Sequence, residues 1–184
     1  MRRIALTLFL GLALAACSDK AEDHNAQDVS FAQEMIPHHQ QAVEMSDMAL
    51  AQATSPKVKD LATRIKSAQG PEIQTMKGWL STWGEPEAPA SDDQGGMHHG
   101  GGGSSSHTGM MTDAQMTELR AATGMGFDRM FLTMMIEHHR GAVQMSQTEL
   151  DDGKYGPAKE LAQTIIDAQQ KEINEMQELL AGGL

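Results

Sequence analysis

The chain repeats itself at an offset of one hundred residues. Residues 28–80 and 128–180 align without a gap and are identical at 21 of 53 positions, far more than two unrelated segments would share. Most of the identities fall into two blocks, the first from Phe31 to Ser46 and the second from Leu61 to Leu80. Each copy is therefore a unit of two parts, and the fold has to be built from two such units.

Both parts of each unit have the apolar periodicity of a helix. In the first part, one stripe at about 100° per residue holds Phe31, Met35, His39, Ala42, Val43, Ser46 and Leu50. No segment after the first sixteen residues alternates as a strand does. A hairpin of two amphipathic helices cannot cover its own apolar stripes, so two copies should pack about a pseudo-twofold axis. The sequence therefore predicts an all-α four-helix bundle of two tandem helical hairpins.

Composition and local signals predict the boundaries of these hairpins. We expect a first hairpin over 28–83, a flexible Gly/Ser/His/Met-rich linker over 84–111, and a short helix followed by the second hairpin over 112–184. The two hairpins should form one bundle domain. Helix starts are predicted at four sites: Ser30 with Gln33, Thr112 with Gln115, Ser55-Pro56, and Gly156-Pro157. The first copy alone carries Pro37 and Pro71, and each should bend its helix or free a carbonyl.

The first sixteen residues predict a lipoprotein signal peptide. A short basic start precedes an apolar run that is too short to span a bilayer, and Leu14-Ala-Ala-Cys17 follows directly. This pattern resembles the bacterial lipoprotein signal, in which the leader is cut before the cysteine and the cysteine is lipidated; the alternative is an ordinary secretory leader. We expect Cys17 to anchor the chain, with 17–27 as a tether. We therefore expect the protein on the periplasmic face of the cell envelope. The outer membrane is favoured over the inner membrane because Cys17 is not followed directly by Asp.

The composition excludes several classes of site. A single cysteine excludes an internal disulfide framework, a Cys-based zinc site and an iron–sulfur cluster. A formal net charge of −11 disfavours nucleic acid as a partner. The chain instead holds 15 Met and 8 His, and a metal ion is the expected partner. Protein partners are not indicated.

The inward stripe of each first helix carries imidazole and thioether groups. Thioether and imidazole without thiolate suit a soft monovalent ion, Cu(I) and by extension Ag(I). Pairs at a spacing of three or four residues bring sulfur and nitrogen onto one helix face. The predicted metal ligands are Met35, His38, His39, Met45, Met135, His138, His139 and Met145.

The second helices place polar groups inside their own apolar stripes. A buried carboxylate is costly without a partner, so Glu72 is expected to accept a hydrogen bond from a histidine and fix its tautomer. Residues that either hold the ligands in place or bind the ion directly are Gln69, Glu72, Gln169, Glu172, Met76, Met176, Met48 and Met134. For Met76 and Met176 core packing is the competing interpretation. The remaining acidic residues are expected to form solvated faces.

The repeated Met-Ile-x-His-His pattern resembles the CopM-like family. It occurs as Met35-Ile-Pro-His-His39 and as Met135-Ile-Glu-His-His139, and in each copy Ala-Val-x-Met-Ser follows after two further residues. The resemblance covers roughly residues 28 to 182 and implies a ferritin-like helical bundle, export from the cytoplasm, binding of copper or silver, and a contribution to copper tolerance. It implies metal binding only at the matching Met and His positions.

The resulting hypothesis is a protein that sequesters or transports Cu(I) and catalyses no reaction. The first alternative is a ferritin-like di-iron carboxylate oxidase, which requires Glu-x-x-His motifs, and the chain contains none. The second alternative is a metal-free structural or interaction lipoprotein of the envelope, with methionine as an oxidation sink. The linker adds groups that could capture ions loosely: Met97, His98, His99, His107, Met110 and Met111.

Overall fold

A computed structural model describes residues 23–87 and 109–184 of the chain. The predicted lipidation site Cys17 and the linker groups Met97, His98, His99 and His107 lie outside these residues. Within them the helices are α1 (Ala26–Gln52), α2 (Pro56–Trp83), α3 (Asp113–Ala121), α4 (Gly124–Asp152) and α5 (Gly156–Glu178), followed by one π-helical turn (Leu179–Gly183). The described part of the chain contains no strand. The all-α prediction is confirmed.

The start of α1 differs from the prediction. Asn25, not Ser30, is the N-cap: its side-chain oxygen accepts from the backbone N–H groups of Gln27 and Asp28, and the Asp28 carboxylate accepts from the Asn25 N–H at 2.6 Å. The capping box therefore lies five residues earlier than predicted. Ser30 lies inside the helix, where its hydroxyl donates to Glu34 at 3.0 Å.

The other helix starts follow the sequence signals closely. Thr112 and Gln115 form the predicted capping box of α3. Ser55 is the N-cap of α2, with Pro56 at the first helical position. In α5 the N-cap is Tyr155, so the start is displaced by one residue from the prediction. Both α1 and α2 continue through their internal prolines as single helices.

The helices form two hairpins, α1–α2 and α4–α5, which meet mainly where α1 contacts α4. Two apolar clusters occupy the two ends of this interface. We call the first cluster N, because it holds the N-terminal half of α1: Phe31, Ala32, Met35, Ile36, Met76, Leu80, Ala142, Ala158, Ala162 and Ile165. The second, cluster C, includes Ala42, Met45, Met48, Leu61, Ile65, Phe127, Phe131, Met135 and Met176. Since the N-terminal part of α4 lies in cluster C, the two halves are related by the expected pseudo-twofold.

Each half caps a hairpin turn of the other half with an aspartate. Asp128 accepts from the Thr54 N–H at 3.0 Å, the Thr54 hydroxyl at 2.6 Å and the Ser55 N–H at 2.9 Å. Asp28 accepts from the backbone N–H groups of Lys154 and Tyr155 at 3.0 and 2.8 Å. Both carboxylates thus satisfy donors at the N-terminus of a helix in the opposite hairpin.

None of the helices within residues 23–87 and 109–184 combines the length and the apolar character needed to cross a bilayer.

Candidate metal centre

A layer of polar side chains separates cluster N from cluster C. Along α1 the histidine pair lies between Met35 and Ile36 on one side and Ala42 and Met45 on the other. On α2, Gln69 and Glu72 similarly follow Ile65 and precede Met76. The same arrangement recurs in α4 and α5. This polar layer consists of His38, His39, Gln69, Glu72, His138, His139, Gln169 and Glu172.

His38 and His138 form the central contact of the polar layer. Their ring centroids are 3.7 Å apart, with 37° between the ring planes, and both side chains are fully buried. Burial, and then the neighbouring His38, His139 and His39, hold the pKa of His138 well below its usual range. His138 is consequently a neutral imidazole at neutral pH, which is the form that binds metals.

The outer histidines are each held by a glutamate of the same hairpin. His39 Nε2 lies 2.7 Å from Glu72 Oε2, and His139 Nε2 lies 2.8 Å from Glu172 Oε2. This is the partner that the sequence predicts for Glu72. When the carboxylate is ionised it can only accept, so Nε2 carries the proton and Nδ1 presents a lone pair.

The remaining nitrogen of these two histidines is buried without a hydrogen bond. Neither His39 Nδ1 nor His139 Nδ1 has a partner among the described residues. A buried polar atom left in this condition costs free energy. The neighbouring amides have the same deficit, because Gln69 has no partner at either amide atom and Gln169 has none at its oxygen.

The buried methionines come to the layer from both hairpins. Met45 of the first half shares cluster C with Met135 and Met176 of the second. Cluster N contains Met35 and Met76 of the first half, and Met145 of the second half packs against it. The predicted ligands of one half are therefore mixed with those of the other. Sequence reasoning had paired each methionine with histidines of its own helix.

The predicted methionines differ in burial. Those with no exposed surface are Met35, Met45, Met76, Met135 and Met176, and Met48 is 9% exposed. Met145 is only partly buried and borders a surface pocket beside Phe31. Met134 is also only partly buried and lines a surface cleft on α4.

The core holds further polar residues to which the sequence assigns no functional role, although Ser46 lies on the predicted inward stripe. The hydroxyls of Ser46 and Ser146 are fully buried and have no hydrogen-bond partner in the described residues; their repetition at the same offset was the available signal. Glu149, expected on a solvated face, is also fully buried. Neither of its carboxylate oxygens has a hydrogen-bond partner by geometry among the described residues, and burial, followed by the neighbouring Asp28 carboxyl, raises its pKa to about 8.

No three His, Cys, Asp or Glu side chains within 23–87 and 109–184 converge in a way that could hold a metal ion. A di-iron centre is built from such a cluster. The layer offers a different donor set, in which buried imidazole nitrogens lie between two methionine-bearing clusters.

Fold and core together define a class: an all-helical bundle of two related hairpins with a buried His–Glu layer between methionine-bearing clusters. Residues 28–180 match the family described as "Domain of unknown function (DUF305)", and the chain belongs to this CopM-like DUF305 family. No curated protein matches the chain.

Three solved structures illustrate the likeness. A protein from Streptomyces coelicolor, described as "putative secreted protein DUF305", is 33% identical over 84% of this chain and 92% of its own, with a TM-score of 0.74. A DUF305 fragment from Deinococcus radiodurans is 30% identical over 85% of this chain and 97% of its own, with a TM-score of 0.72. CopM in its Cu(II)-bound form is 34% identical over 85% of this chain and 97% of its own, with a TM-score of 0.69.

CopM has also been solved in Cu(I)-bound and Ag-bound forms, at 32% and 34% identity to this chain. CopM is therefore a relative of this chain that binds copper and silver.

Proposed function

We propose that this protein binds copper as Cu(I), and Ag(I) in the same way, through the polar layer and the methionines beside it. Its role is to sequester or carry the ion in the cell envelope and so to support copper tolerance, and it catalyses no reaction. The single observation that carries this proposal is the pair of buried, unpartnered Nδ1 atoms of His39 and His139.

The glutamates explain why these nitrogens are suited to a metal. A histidine that binds a metal usually donates its other ring N–H to a carboxylate, which orients the ring and raises the basicity of the ligand. Glu72 and Glu172 occupy that position at 2.7 and 2.8 Å. A bound ion would remove the cost of the unpartnered nitrogens.

The thioethers explain why the ion is soft. Met35, Met45 and Met135 are fully buried, and a neutral, polarisable sulfur favours Cu(I) over hard cations. The residues that would hold the ion are the four histidines and these methionines, with Met145 as a further candidate. Met76 and Met176 remain candidates of the same kind, with core packing as the alternative.

The relatives support the same ion class. CopM is described in Cu(II)-, Cu(I)- and Ag-bound forms. The Streptomyces coelicolor protein is described as secreted, which agrees with an envelope location here. We propose lipidation at Cys17, on the periplasmic face and preferably in the outer membrane, from the sequence pattern alone.

Elemental analysis of protein purified from copper-supplemented cells tests the proposal. We expect copper in the wild-type chain and its loss in a His39→Gln/His139→Gln variant, in which the side chains stay polar and of similar size. His24→Ala is the matched control, because His24 stacks on Trp83 at 4.4 Å, outside the polar layer. Equal copper in all three proteins, or none in any, would refute the proposal. Circular dichroism checks that each variant is folded.

A further inference from the structure

A second group of methionines lines a surface cleft on α4, outside the polar layer. The cleft has a volume of about 490 Å³, and its walls include Met111, Met130 and Met134. Met130 and Met134 are one turn apart on α4, so their side chains are neighbours on one helix face. Met111 comes from the segment that precedes α3.

Met111 is held in place by a defined set of contacts. Its N–H donates to Gln41 Oε1 at 2.7 Å, and its carbonyl accepts from Gln41 Nε2 at 2.8 Å. Two residues earlier, Gly109 has a φ of +83° and crosses α4 so closely that a Cβ would lie 2.7 Å from the carbonyl oxygen of Glu137. Only glycine can make this approach. The backbone of Met111 is therefore fixed against α4 before any ligand arrives.

The equivalent positions of the first half show that the fold does not require methionines there. Met130 and Met134 correspond to Ser30 and Glu34 at the offset of one hundred. Those two side chains hydrogen-bond to each other at 3.0 Å. The second half thus has two thioethers on α4 where the first half has a hydrogen-bonded polar pair on α1.

Charged residues at the rim of the cleft are already engaged. Glu137 pairs with Arg140 at 2.5 Å. Arg129 reaches to the carbonyl oxygen of Leu180 at 3.5 Å. Neutral sulfur is the donor type shared by the three methionines of the wall, and three thioethers match the preference of a soft monovalent cation.

We propose that Met111, Met130 and Met134 form a second metal site, open to solvent and built from thioethers alone, for Cu(I) or Ag(I). It extends the proposed function, but it uses none of the ligands of the polar layer. Met134 precedes His138 by one helical turn, so the cleft lies beside the buried layer on the same helix. The cleft itself is open at the surface, while Met111 is only 9% exposed and belongs to cluster C, against which Met130 and Met134 pack.

Titration of the full chain with silver nitrate in chloride-free buffer tests this site, because Ag(I) is redox-stable. Methyl-labelled methionine NMR would follow each thioether, and calorimetry would count the bound ions. We expect the methyl signals of the three cleft methionines to shift together. The variant Met130→Ser/Met134→Glu installs the polar pair of the first half and should lose one equivalent of Ag(I). Met125→Leu is the control, since Met125 is 61% exposed and is not part of the cleft wall.

The outcomes separate this inference from the proposed function. If the cleft signals stay unchanged while those of Met35 and Met135 shift, the second site is refuted and the polar layer stands. If the cleft signals also shift in the His39→Gln/His139→Gln variant, the second site is independent and stands. If the double variant binds as much Ag(I) as wild type, the cleft is not a metal site.

Discussion

The two halves of the molecule share their polar layer but differ in what surrounds it. Both have a histidine pair, a glutamate that holds the outer histidine, and an aspartate that caps the opposite hairpin. Around this common core, Ala49 of the first half is replaced by the buried Glu149 of the second. The polar pair Ser30 and Glu34 is replaced by two methionines.

The two halves are identical at their central contact and differ at the cleft on α4. His38 meets His138 across the polar layer. Met130 and Met134 replace Ser30 and Glu34, and they line the cleft together with Met111, which comes from the segment that leads into α3. Metal chemistry in the shared layer can thus be the same in both halves while stability and surface chemistry differ.

The largest expected effect is the loss of stability when one of the two capping aspartates is replaced. Asp128→Ala would leave two backbone donors of the α2 N-terminus without their acceptor, and we expect a loss of about 3 kcal/mol in the free energy of unfolding. Asp28→Ala removes a similar set of hydrogen bonds but also removes the negative charge beside Glu149. Its loss should therefore be smaller. Urea denaturation of the metal-free proteins measures the free energy of unfolding of both variants. Equal losses would show that the charge of Asp28 beside Glu149 does not affect stability.

Helices, hairpins and the His–Glu contact could be predicted from the sequence because they depend on short-range periodicity. The stripe that contains His39 on one helix and Glu72 on the next has to face one interior, so the pair meets. The start of α1 could not be predicted as easily. Two candidate capping boxes begin five residues apart, and the one at Asn25 is used because Asp28 also reaches the opposite hairpin.

Features that arise between the halves could not be predicted. The pseudo-twofold is predicted, but the mixing of Met45 with Met135 depends on which ends of α1 and α4 meet across it, and helical periodicity does not encode that. The position of Met111 depends on Gln41, 70 residues away along the chain. Glu149 appears as an ordinary charged residue until the opposite hairpin covers it.

The second prediction concerns pH and the buried Glu149. Its pKa is raised from 4.5 to about 8, so between these values the folded protein holds a proton that the unfolded chain has released. The free energy of unfolding should fall as pH rises through this window. His138 has a lowered pKa and acts in the opposite direction only below its unfolded pKa of about 6.5. The effect of Glu149 is therefore isolated between pH 6.5 and 8.

In that window we expect a loss of up to about 2 kcal/mol, since one pKa unit corresponds to about 1.4 kcal/mol. Glu149→Gln keeps the shape of the side chain but cannot ionise, and its stability should be nearly flat. Urea denaturation at several pH values measures the two proteins. A wild-type protein without this slope, or a variant with the same slope, would contradict the assignment.

The third prediction tests whether the halves are equivalent in the proposed metal binding. Glu72→Gln and Glu172→Gln each retain an acceptor for the histidine but remove the charge that raises its basicity. Each change should weaken Cu(I) binding by about tenfold in competition with a chelator, and by the same factor in both halves. Glu175→Gln is the control, since Glu175 pairs with Arg64 on the surface. Unequal losses of Cu(I) affinity would show that the residues that differ between the halves affect the polar layer.

The smallest expected effect compares Met45 with Met145, which occupy the same position in the two halves. Met45 is fully buried, whereas Met145 is partly buried at a surface pocket. A change of Met to Leu conserves volume, so Met45→Leu should cost about 1 kcal/mol in metal-free protein and Met145→Leu less than about 0.5 kcal/mol. Thermal unfolding of both variants measures the difference. Equal losses of stability in the two variants would mean that the two methionines pack equally well. Any difference in metal affinity between the halves would then have to come from the pocket beside Met145.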